Sequence, residues 1–167
     1  MPKIVENLRE RILDVARKQI VENGYSNVTM RSIAKDCNIG LGTIYNYFDS
    51  KDVIVANYMM EDWRICLVKI NNEIINDKPR LEAIYCGLIN FIDDHNKLFS
   101  DVNAEISYAT NVIKWHPIFR SQIAKLVLEL CHDDVFLSEF IAESLISWSI
   151  EKKEYSSLSP ILEKLLK

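Results

Sequence analysis

Glycine and proline are scarce, with four of each in 167 residues. A many-stranded sheet needs turn chemistry at every hairpin, so the shortage favours long helices joined by short connections. No apolar run approaches the roughly 18 residues that a membrane-spanning helix requires, and no membrane partner is expected. The opening stretch MPKIVENLRERI is charged throughout and has no apolar core of the kind that leads a secretory signal, which predicts a cytoplasmic protein. Cysteine is sparse and scattered (Cys37, Cys66, Cys86, Cys131), with no C-x-x-C pair. Reduced, mostly buried thiols are therefore expected, and no metal. Cys131-His132 is the one metal-like pair, and no second close pair completes a tetrahedral set. The chain also lacks a nucleophile elbow, a phosphate loop and an H-E-x-x-H motif, so neither an enzyme nor a cofactor is expected. Its best catalytic-looking cluster, Asp93-Asp94-His95, reads as the wet end of a helix.

What is present is ordinary in bulk and uneven in distribution. Apolar residues make up 49% and charged residues 26%, as in a soluble globular protein, and the net charge is −4. Residues 1–51 carry eight Lys/Arg against six Asp/Glu, whereas residues 52–167 carry twelve against eighteen. A slightly basic head on an acidic body fits a small electrostatic footprint at one end.

Hydrophobic periodicity predicts helices throughout and no strand. Leu8, Ile12, Val15, Ala16 and Ile20 pattern a first helix over 3–23, with Gly24 as its stop. Thr29 is a good N-cap for a short second helix, and Asn38 tolerates the left-handed turn that follows. A third short helix is predicted over 41–48. Ser50 then caps a long fourth helix over 51–75, about 37 Å at the usual rise. Asp77-Lys78-Pro79 breaks the chain before a fifth helix that runs to about Leu98. Further helices are expected over 100–113, from His116-Pro117, over 135–153 and over 158–166, the last after a turn at Tyr155-Ser156-Ser157. There is no internal repeat.

The segment NIGLGTIYNYF at 38–48 has no charge, two glycines and two tyrosines. Short helix, tight turn, short helix is the order of a helix-turn-helix, whose second helix lies in the DNA major groove. With Ile39, Ile44 and Phe48 turned inward, helical spacing sends Gly42 and Asn46 to the opposite pole. Thr43 and Tyr47 then share one flank and Tyr45 takes the other. A glycine at the pole lets the backbone approach the groove floor, while hydroxyls donate to phosphates and the Asn46 amide reads base edges. Leu41 could pack on a thymine methyl, and Arg31 and Lys51 supply attraction from beside the helix. The plainer alternative is that both tyrosines pack in a core.

Residues 23–54, NGYSNVTMRSIAKDCNIGLGTIYNYFDSKDVI, resemble the DNA-binding head of TetR-type transcriptional regulators, with G-T-I-Y-N-Y-F followed by S-K as the most specific run. The resemblance implies an all-α fold, in which a three-helix head over 1–50 is joined by the long fourth helix to a ligand-binding and dimerisation body over 51–167. It implies that Thr29 and Arg31 touch the DNA backbone or flanking bases, that Leu41, Gly42 and Thr43 meet the groove, and that Tyr45, Tyr47 and Lys51 fix phosphates. Gly40 departs from the family pattern, which has serine as the cap of the recognition helix; glycine caps less well by a few tenths of a kcal/mol.

The implied function is a ligand-responsive repressor that binds a palindromic double-stranded operator as a homodimer. An activator of the same fold and a helical adaptor that binds protein through its head are the alternatives. In the body, the helix over 135–153 is apolar on several faces and so needs covering on several sides. Phe140, Ile141, Leu145 and Trp148, with Ile161 and Leu165 of the last helix, are assigned to a two-fold four-helix interface, unless both helices bury within one chain. Trp63, Cys66, Tyr85, Ile89, Tyr108, Trp115 and Phe119 could line a cavity for a small apolar or aromatic effector; plain core is the alternative for all of them.

Overall fold

The computed structural model describes residues 7–99 and 116–167. The helix expected over 100–113, with Tyr108, lies outside them, as do Trp115 and the first residues of the opening helix. All regular structure among the described residues is helical: α1 (Leu8–Asn23), α2 (Met30–Asp36), α3 (Leu41–Tyr45), α4 (Lys51–Ile75), α5 (Arg80–Asp94), α6 (Asn96–Phe99), α7 (116–127), α8 (Val135–Ile150) and α9 (Tyr155–Leu165). Short 3-10 turns occur at Tyr25–Asn27 and Leu128–Cys131.

The shortage of glycine shows in how the helices stop. Gly24 ends α1 at φ 79, its amide donating to Ile20 O at 2.9 Å. Three later helices, α2, α4 and α8, end on left-handed residues that are not glycine. At Asn38 (φ 52) the Asn38 and Ile39 amides donate back to Lys35 O and Ala34 O. Asp77 (φ 65) ends α4 and Lys152 (φ 52) ends α8 through the same pair of backward bonds. This is the Schellman closure, which satisfies carbonyls that the helix leaves over.

Several boundaries differ from expectation. The third helix closes at Tyr45 rather than Phe48, although the Phe48 amide still reaches Ile44 O at 3.0 Å. The fifth stops at Asp94, and α6 starts afresh after His95. The eighth stops at Ile150, where the closure at Lys152 takes over. The last begins at Tyr155, so its serines form the first turn rather than a preceding loop. First-turn amides have no partner within the helix, so hydroxylic residues suit that place.

The described residues form two compact units, and α4 contributes to both. The first takes the chain up to Trp63 together with 95–99. Its core is built from Leu8, Ile12, Leu13, Ala16 and Ile20 of α1, Ile33 and Ala34 of α2, Ile44, Phe48, and Ile54, Val55 and Tyr58 of α4, all buried. The second unit takes Arg64–Asp94 and 116–167. There α5 and α8 pack together, burying Leu81, Ile84, Leu88 and Phe91 with Ala142 and Ile146. Gly87 brings α5 tightly onto α4, since a Cβ at that position would stand 2.4 Å from Ile70 Cγ1.

Candidate nucleic-acid interface

The short pair α2–α3 is held by chemistry that acts within a turn or two. Thr29 caps α2: its Oγ1 accepts from the Ser32 amide at 3.1 Å, and Ser32 Oγ accepts from the Thr29 amide at 3.0 Å. The two residues thus satisfy each other's otherwise unpaired donors. Thr29 and Arg31 are both exposed at this end. The turn at Asn38 then leads into α3, which is anchored by Ile44 (0% exposed) and Phe48 (3%).

The opposite face of α3 carries the side chains that the sequence assigns to it. Leu41, Gly42, Tyr45, Asn46 and Tyr47 are exposed, and Thr43 is half-buried. The tyrosines are 48% and 45% exposed, which removes the alternative of a tyrosine core. At Gly42 an added Cβ would have no neighbour within 4 Å, so nothing inside this chain requires the glycine. Gly40 sits at the N-cap with φ −68 and no side-chain cap; a Cβ there would make only ordinary contact with Thr43 Oγ1 at 3.6 Å.

Lys51 departs from its expected place at the edge of this surface. Its ammonium is turned inward, donating to Tyr25 O at 2.8 Å and Val28 O at 2.9 Å, and lies 3.7 Å from the centre of the Tyr25 ring. Asp52 accepts from the Tyr25 hydroxyl. The first turn of α4 therefore holds the α1–α2 connection in place.

Two further groups that sequence reasoning passed over stiffen the same unit. Gln19, 7% exposed on α1, bonds to Ser32 and Asp36 of α2. Asp62 of α4 gathers Arg17 (Nη2 at 2.9 Å) and His95 (Nε2 at 3.0 Å), and the His95 ring stacks over Tyr58. Burial alone would raise the Asp62 carboxyl; the hydrogen bond to His95 and the positive charge of Arg17 outweigh it and hold the group below its ordinary value. Burial pushes the Tyr58 hydroxyl up. His95 is thus a buried partner, not the exposed end of a helix, whereas Asp93 and Asp94 are exposed as expected. Their signal was invisible along the chain because Asp62 and His95 are 33 residues apart.

Of the residues expected to line an effector cavity, Trp63 is 1% exposed in the first unit, and Cys66, Tyr85, Ile89 and Phe119 belong to the second. Tyr85 is spent on structure: its hydroxyl proton has two carbonyl acceptors in reach, Lys153 O at 2.7 Å and Trp148 O at 3.0 Å, at and just beyond the end of α8. Cys66 donates to Gly87 O at 3.3 Å inside the α4–α5 contact, and burial raises its thiol to about 11. Ile89 and Phe119 are half-buried, the latter meeting Phe91 edge-on.

The expected dimer face needs correction at two residues: Ile141 and Leu145 are 0% exposed within the single chain. Phe140 (50% exposed), Ile161 (50%) and Leu165 (39%) do point outward, and Trp148 is half-buried. Phe136 (81%) and Ile150 (62%) extend the exposed apolar face of α8.

Comparison with known proteins places the head. Residues 12–58 match the family model described as bacterial regulatory proteins, tetR family. The chain is 35% identical over 66 residues to the HTH-type transcriptional regulator UidR of Escherichia coli K12. That match covers 40% of this chain and only 34% of UidR's length. It is 24% identical over 165 residues to the HTH-type transcriptional regulator SAB2452 of Staphylococcus aureus, covering 91% of this chain and 86% of that protein. Among solved structures, the fatty acid degradation regulator FadR from Bacillus halodurans superimposes with a TM-score of 0.60 over 99% of this chain and 95% of that one. At 20% identity, that likeness speaks for the fold alone.

Proposed function

We propose that the chain, whose residues 12–58 match the model of the tetR family of bacterial regulatory proteins, is a transcriptional regulator that reads duplex DNA with α3 in the major groove. The observation that carries this reading is Gly42. It stands exposed at the pole of α3 with open space where a side chain would be, flanked by exposed hydroxyls and the Asn46 amide. Inside the chain that arrangement stabilises nothing. Against DNA it brings backbone to the groove floor, tyrosine hydroxyls to phosphates and an amide to base edges.

Two copies acting together complete the reading. A dimer places two recognition helices roughly 34 Å apart, one turn of the duplex, and so selects a palindromic operator. The outward apolar face of α8 and α9 supports a second copy as its cover, with Phe136, Phe140, Ile161 and Leu165 as the contact residues. The division of labour we adopt is a DNA-binding head over 1–50 and a regulatory and dimerisation body over 51–167. In that body a small apolar or aromatic effector relieves repression by binding the DNA-incompetent state better than the competent one.

An electrophoretic mobility shift on duplexes from around the protein's own gene tests the proposal. Binding should weaken steeply as salt rises. Tyr47→Phe should lower affinity roughly three- to tenfold, the worth of one hydrogen bond. Failure to shift any of these duplexes in low-salt buffer would overturn the reading.

A further inference from the structure

We infer that Gln19 is a positioning residue for the DNA-reading surface, a buried amide latch that sets the N-terminus of α2; the inference rests on the DNA-binding reading of the head.

Gln19 lies on α1, 7% exposed, and is not itself assigned to DNA. All of its amide's polar atoms are engaged with α2. Its Nε2 donates to Ser32 O at 3.1 Å and to Asp36 Oδ2 at 2.5 Å, and its Oε1 accepts from Ser32 Oγ at 2.7 Å. This pattern fixes which way the amide faces. Flipped, its oxygen would stand against a carboxylate and a carbonyl, and its nitrogen would lose both acceptors.

The Ser32 contact is the informative one. A hydroxyl has one proton and two lone pairs. That proton has two acceptors in reach, Gln19 Oε1 at 2.7 Å and Thr29 O at 2.9 Å. With it on Gln19 Oε1, the shorter contact and the one that reaches another helix, a lone pair of Ser32 Oγ is aimed at the Thr29 amide, which it accepts at 3.0 Å. Gln19 thereby ties the reciprocal cap at the start of α2 to α1. The Asp36 bond holds the other end of the same seven-residue helix. Thr29 and Arg31, the α2 residues proposed to touch the DNA backbone, sit on the turn that this latch sets. An apolar residue could fill the space between α1 and α2, so packing alone does not call for a glutamine here. A buried polar group that is fully satisfied specifies one arrangement over its neighbours.

The test uses the full chain and three variants: Gln19→Leu, Gln19→Glu, and Gln19→Glu combined with Asp36→Asn. Each is measured for thermal unfolding, for amide hydrogen exchange at Thr29 and Ser32, and for affinity toward the shifted duplex and an unrelated one over a range of salt. Gln19→Leu should keep a cooperative melt yet exchange faster at Thr29 and Ser32. It should bind the operator about tenfold more weakly, the size expected when buried hydrogen bonds that fix a contact are lost. Its salt slope should fall by about 1, as one phosphate contact goes out of register. Gln19→Glu sets two carboxylates face to face and should behave similarly, whereas Asp36→Asn on top of it restores a donor–acceptor pair and should recover most of the affinity. A general loss of stability would not produce that rescue or a changed slope. Unchanged exchange in Gln19→Leu, with operator affinity within twofold of wild type, would overturn the latch. If the wild-type chain shifts no duplex, the DNA reading is what fails, and exchange at Thr29 and Ser32 still judges the latch by itself.

Discussion

Gly42 pulls stability and recognition in opposite directions. Its backbone is ordinary helix, and the space around it is open. Gly42→Ala should therefore raise the thermal midpoint, because alanine is favoured over glycine within a helix by up to about 1 kcal/mol. The added methyl would stand between backbone and groove floor, so operator affinity should drop at least about tenfold, equivalent to about 1.4 kcal/mol. A melt and a mobility shift on the same preparation check both halves. Residues whose roles act locally were legible before the fold was known. Thr29, Asn38 and Gly24 cap or turn the chain through bonds to residues at most five positions away. Lys51, Gln19 and His95 were not legible in that way, since their partners lie 13 to 33 residues off along the chain.

At the scale of helices, two contacts carry predictions. In the second unit, a Cβ at position 87 would stand 2.4 Å from Ile70 Cγ1 and 2.6 Å from its Cδ1, and Ile70 is 1% exposed with nowhere to retreat. Gly87→Ala should cost about 1–3 kcal/mol, read as a lower urea midpoint at unchanged slope. In the first unit, Asp62 joins α4 to α1 and to the residue before α6. Its carboxyl is held below the ordinary 3.8, so its contribution is complete above pH 3.8 and is lost as pH falls through the lower folded value. Asp62→Asn should be less stable than wild type at neutral pH, and the difference should shrink below pH 3.8; urea titrations at several pH values check it. Helix existence was readable throughout the described chain, but helix ends were less so. The breaks at Asp94 and Ile150 arise where a left-handed residue or a new turn closes the helix, and periodicity continues past both points.

For the molecule as a whole, the prediction concerns a second copy. Phe136 and Phe140 are 81% and 50% exposed in the single chain, so replacing both with serine should leave the chain folded. If they anchor the dimer, each truncation removes an interfacial aromatic of the kind that contributes 2 kcal/mol or more in the order of magnitude. Sedimentation should show wild type as a dimer and the double variant as a monomer. Affinity for a full palindrome should then fall toward that of a half-site.

The sequence by itself determined the all-helical class, the helix-turn-helix order of the head and the outward set on α3. These follow from caps, turn residues and periodicity, which act over one or two turns of chain. Only the tertiary structure decided which side of α8 is inside. A helix apolar all round has no preferred face until its neighbours cover one, and within this chain Ile141 and Leu145 are covered while Phe136 and Phe140 are left outward. The same holds for Lys51, Gln19 and His95. A polar side chain's role is set by whichever groups the fold brings within about 3 Å, and spacing along the chain does not reveal them.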